Sequence, residues 1–102
     1  MREIVANKDL TLSNIPKPDA CWDEIGEFAL NFDGYKAWGS FDKCAEIANA
    51  RRHESITDLR TCLFFEQRRW RHFGADPDEE AMEYIRGLVE EIRSMVSGGD
   101  VV

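Results

Sequence analysis

Nowhere does the chain approach the roughly 18 consecutive apolar residues that a membrane-spanning helix requires. The opening residues, Met1 to Asn7, also lack the apolar run of a secretory leader, so a cytosolic protein is expected. Cysteine is scarce and odd in number: Cys21, Cys44 and Cys62 are separated by 22 and 17 residues and form no CxxC pair. That pattern predicts reduced thiols rather than a disulfide framework. A glycine-rich phosphate loop, an HExxH pair and a nucleophile elbow are all missing, so no short motif declares a chemistry. The metal-ligating types are isolated from one another, with His53 and His72 the only histidines. The cysteines fall on or beside apolar helical faces, where the thiol acts as a small hydrophobe. Neither a metal nor a cofactor is expected.

What is present is an ordinary globular composition over 102 residues, 43% hydrophobic and 32% charged, enough for one self-contained core. Helical periodicity dominates. Residues 1–18 have no period and end in Ile15-Pro16-Lys17-Pro18, which reads as an extended arm with Leu10 and Leu12 pressed onto the body. After Asp19, the residues Trp22, Ile25, Phe28, Ala29 and Phe32 recur at helical intervals opposite Asp23, Glu24 and Glu27, and Asp33-Gly34 offers a stop. Ser40 caps a shorter helix with Phe41, Cys44, Ala45 and Ala48 on one face. A third helix is predicted over 56–73, begun by Ser55 with Asp58 and closed by Gly74, with Leu59, Cys62, Leu63, Trp70 and Phe73 inward. Phe64 and Phe65 widen its apolar surface, which predicts a central position. Asp76-Pro77-Asp78-Glu79 then reads as an N-cap, a first-turn proline and a capping-box glutamate. Met82, Ile85, Val89, Ile92 and Val96 follow as a seam suited to nearly antiparallel packing, until Ser97-Gly98-Gly99.

The predicted fold is therefore all-α: a compact bundle of about four short helices in a domain over 19–97, an arm over 1–18 and a frayed tail over 98–102. A three-helix core with the second helix at its side fits the same periodicity.

Charge is segregated along the chain. Residues 1–50 carry a net −4, residues 51–73 a net +3 and residues 74–102 a net −6, giving −7 in all. The basic segment is almost entirely arginine, whose planar fork suits carboxylates and phosphates and stacks on aromatic rings. At 100° per residue, Arg60, Phe64, Arg68 and Arg71 form one stripe on the third helix, either covered by acids of neighbouring helices or exposed for an acidic partner. A pI near 4.8 speaks against nucleic acid as that partner. Trp38, beside Tyr35 in a loop between Gly34 and Gly39, reads as a plug for the bundle or a contact residue. Leu30, away from the first helix's apolar face, is a place for the arm to cover.

Glu66 falls in the middle of the third helix's apolar face, where a carboxylate must be paired or hydrogen-bonded, Arg69 being the nearest candidate. The function expected is a non-enzymatic module that binds another protein, monomeric or in a weak, salt-sensitive homodimer joining the third helix to an acidic face. Two other classes fit less of the sequence. One is a small acid-based or metal-dependent hydrolase using Glu66 or the group Asp76, Asp78, Glu79 and Glu80, and the other is an acidic inhibitor that imitates nucleic acid.

Overall fold

The computed structural model of the chain describes residues 10–32 and 38–99. Four helices are found among them: α1 (Trp22–Leu30), α2 (Phe41–Ala50), α3 (Ile56–Phe73) and α4 (Glu79–Gly99), preceded by a single 3-10 turn at Leu12–Asn14. The architecture is an all-α bundle, and none of these helices is long and apolar enough to cross a membrane. Asp33, Gly34, Tyr35 and residues 100–102, to which a helix stop, a loop aromatic and a tail are assigned above, lie outside the described residues.

The helix ends follow local hydrogen-bonding chemistry. Ser40 Oγ accepts from the backbone N–H of Lys43, and Ser55 Oγ from that of Asp58, each bond 3.1 Å long. Asp58 answers by accepting from the Glu54 N–H at 3.2 Å, a reciprocal pairing at the start of α3. Gly74 stops α3 with φ +68°, a left-handed position that a side chain resists, and the Gly74 and Ala75 N–H groups return to the Arg71 and Trp70 carbonyls.

Two ends depart from expectation. Asp78, not Asp76, caps α4: its Oδ1 accepts from the Ala81 N–H at 2.8 Å, and its carbonyl accepts from Met82. Pro77 thus precedes the cap, which suits a residue unable to donate to the helix. At the other end α4 runs through Gly98 and Gly99, where a stop is predicted from Ser97 onward.

α3 is the hub, packing against α1, α2 and α4. The main cluster takes Ile25, Phe28 and Ala29 from α1, Leu59, Cys62 and Leu63 from α3, and Ile85, Leu88, Val89 and Ile92 from α4. Residues of α2 are absent from it. Cys44 and Ile47 of α2 are buried separately, and the Cys62 thiol reaches the Ile47 and Arg52 carbonyls at 3.9 and 3.4 Å. The bundle is thus three helices around one core, with α2 laid on the outside of α3.

The arm docks differently from its predicted pose. Leu10 and Ile15 are buried, whereas Leu12 points out at 41% exposure. Arg93 of α4 holds this segment by donating to the Leu12 and Ile15 carbonyls at 3.2 and 3.0 Å. The polar anchor fixes which side of the turn faces the core.

Candidate functional site

Burial along α3 varies with position along its axis more than with angle around it. From Asp58 to Phe64 every residue is buried, because α1, α2 and α4 surround this half on all sides. Past Gln67 only Trp70 stays half-buried, whereas Arg68, Arg69, Arg71, His72 and Phe73 are all exposed. A uniform wheel misses this change.

The predicted stripe is split by it. Arg60 is 2% exposed and Phe64 is buried, so neither belongs to an exposed patch. The Arg60 guanidinium lies over the rings of Phe28 and Phe32, 5.2 and 4.9 Å from their centroids, and its Nη2 donates to the Asn31 carbonyl at 2.8 Å. Burial lowers its pKa to about 10, which leaves the group charged at neutral pH. Arg60 therefore ties the end of α1 to α3. Trp38 also turns inward, donating from Nε1 to Thr61 Oγ1 at 2.7 Å, while that hydroxyl donates to the Thr57 carbonyl at 2.7 Å. Leu30 lies in a cleft beside Gln67, Arg68, Arg71 and His72 of α3, and residues 1–9 of the arm expected to cover it lie outside the described residues.

Arg68 and Arg71 remain outside, and neither pairs with a carboxylate among the described residues. Arg68 lies over the Phe64 ring at 5.7 Å. It also separates two adjoining clefts of about 300 Å³ each. One is the Leu30 cleft, and the other is lined by Phe65, Arg68, Arg69, His72 and Phe73. Phe73, expected inside, is instead 66% exposed, although Trp70 on the same turn lines clefts with Trp22 of α1 and Tyr84 of α4. Phe41 at the start of α2, 50% exposed, extends the aromatic surface through its contact with Phe65, the ring centroids 5.5 Å apart. The result is an aromatic surface framed by guanidinium groups on the exposed face of the C-terminal end of α3.

A second polar constellation lies where α3 meets α4. His53 Nδ1 is 3.4 Å from Glu91 Oε2 and its Nε2 is 3.2 Å from Tyr84 Oη, so the α2–α3 connection is pinned to α4 through one imidazole. Tyr84 in turn interacts with the buried Cys62 thiol, which burial raises above its ordinary pKa. Burial also raises the Tyr84 phenol, with Cys62 and Glu66 adding to the shift and Arg51 opposing it. Glu66 is 7% exposed, and Arg69 Nη1 approaches its Oε2 at 3.5 Å. Periodicity misses His53, Tyr84 and Glu91 because their meeting depends on the angle at which a loop crosses α4.

Among the described residues, no three His, Cys, Asp or Glu side chains converge as a metal set. Comparison of the chain with protein-family models, curated proteins and solved structures gives no match.

Proposed function

We propose that the protein is a non-enzymatic interaction module, acting in the cytoplasm, that docks an acidic segment of a partner protein on the exposed face of the C-terminal end of α3. The observation that carries this reading is the cleft that brings exposed Phe73 and half-buried Phe65 together with Arg68 and Arg69, with Arg71 in the adjoining cleft, in a chain of net charge −7. Desolvating an aromatic surface supplies affinity, while arginines around its edge select carboxylates and speed encounter. Free thiols at Cys21, Cys44 and Cys62 are in keeping with a reducing compartment.

A distinct partner is favoured over a second copy by symmetry. The acids offered by another copy, Glu79, Glu80, Glu83 and Glu90, lie on α4, so contact with α3 joins two different surfaces. Such a contact builds rings or open chains unless its rotation closes on itself.

The test is titration of the isotope-labelled protein with a peptide that intersperses glutamates with leucine and phenylalanine. A peptide with lysines at the same places and a short DNA duplex serve as controls. Chemical-shift changes confined to Phe41, Phe65 and 68–73, given by the acidic peptide alone, support the reading. Equal binding of the two peptides, stronger binding of DNA, or no shifts at this surface would overturn it.

A further inference from the structure

The carboxylate of Glu66 faces a cleft of about 170 Å³ at the junction of α3 and α4, lined also by Arg51, Trp70, Asp78, Glu80, Ala81 and Tyr84. Three carboxylates line it with the Arg51 guanidinium, and Arg69 approaches Glu66 from outside the cleft. Glu66 is the unusual member: its side chain is only 9% exposed and accepts no hydrogen bond among the described residues. Its one counter-charge, Arg69, approaches a single oxygen at 3.5 Å from a half-exposed side chain. A buried carboxylate so thinly compensated presents an open demand for donors.

The walls say which donors. Trp70 and Tyr84 both line the cleft, and the Trp70 Nε1 atom is itself buried, so ring carbon forms that wall. Aromatic faces attract organic cations, whereas hard metal ions need cages of oxygen. The chain already shows such a face holding a cation: the Arg51 guanidinium lies over the Tyr84 ring, 4.3 Å from its centroid. Arg51 takes the left-handed conformation at the end of α2, φ +51°, so an unusual backbone position presents that side chain.

The geometry points to a binding site for a primary alkylammonium group, its head on Glu66 with Asp78 and Glu80 beside it and its stem between Trp70 and Tyr84. Arg51 acts as an internal competitor for the Tyr84 face. The ammonium belongs either to a free diamine or to a lysine side chain of another protein, the recognition chemistry being the same.

Titration of the full chain with 1,5-diaminopentane and, separately, with Nα-acetyl-lysine methylamide tests the site, following the Trp70 indole N–H by NMR against sodium chloride of matched ionic strength. Saturable shifts of that signal with both probes are expected, at affinities of roughly millimolar. Tighter binding of the diamine identifies a small-molecule source, and tighter binding of the lysine amide a protein one. Glu66→Gln should weaken binding about tenfold. The exposed Glu80→Gln should weaken it less, and it provides a variant whose folding is not in question. Arg51→Gly, which suits the left-handed backbone, should tighten binding about fivefold by vacating the ring. A shift reproduced by sodium chloride, no change in Glu66→Gln and Glu80→Gln, or weaker binding in Arg51→Gly would overturn the proposal.

Discussion

The guanidinium of Arg60 rests on the Phe32 ring, 4.9 Å from its centroid, and donates to the carbonyl of Asn31 next door. One side chain of α3 thereby fixes the place where α1 ends. Arg60→Ala removes the stem packing, the ring contact and the carbonyl's donor together, and a loss of about 3 kcal/mol is expected. Urea unfolding measures it. Docking at the far end of α3 should be unaltered in the folded fraction, which separates Arg60 from Arg68 and Arg71.

The indole of Trp38 and the hydroxyl of Thr61 form a second tie, 2.7 Å long, between the segment that precedes α2 and the first half of α3. Trp38→Phe and Thr61→Val should each destabilise by about 1 to 2 kcal/mol, with a coupling of about 1 kcal/mol in the double variant. Additive losses in thermal or urea unfolding would show that the bond contributes nothing.

Much of the fold is legible in the sequence because side chains acting within one element decide it. Ser40, Ser55 and Gly74 end their helices through bonds to backbone groups at most five residues away, and Ile85, Val89 and Ile92 repeat at the helical period. The candidate site is less legible because it depends on how the helices are placed against one another. Arg60 is covered where the end of α1 meets α3, whereas Arg71 stays exposed although Trp22 and Leu30 of α1 line clefts with it, a difference that a helical wheel does not carry. The displaced cap at Asp78 is a more local miss: Asp76 and Asp78 both suit an N-cap, and the choice falls to the one that follows the proline.

Alkaline titration distinguishes two buried groups of opposite sign. The raised phenol of Tyr84 contributes stability that is complete below its unfolded pKa of about 10 and is lost as the pH climbs towards its folded value. Arg60, with its pKa lowered to about 10, acts in reverse, since the burden of its buried charge lifts above that pH. Tyr84→Phe should therefore reduce the loss of stability seen above about pH 10, the part due to the raised Cys62 thiol remaining, as measured by urea unfolding at a series of pH values. A wild-type decline that persists unchanged in this variant would remove Tyr84 from the explanation.

Exposed aromatics at a docking surface contribute to binding without supporting the fold. Phe73→Ala and Phe41→Ala should each change the unfolding free energy by less than about 1 kcal/mol, the loss coming from the ring contacts that Phe73 makes with Trp70 and Phe41 with Phe65. Both should weaken the acidic peptide in calorimetric titration. A large destabilisation by Phe73→Ala would place that ring in the core and count against the docking surface.

The dependence of acidic-peptide affinity on salt tests the central claim most directly, measured for the wild type and for the Arg68→Ala, Arg71→Ala double variant. Wild-type affinity should fall steadily as sodium chloride rises through the range where exposed charges become screened. The double variant should bind more weakly at low salt and show a clearly shallower dependence, with unchanged unfolding. Identical slopes and affinities for the two proteins would contradict the assignment of the exposed C-terminal end of α3 as the docking surface.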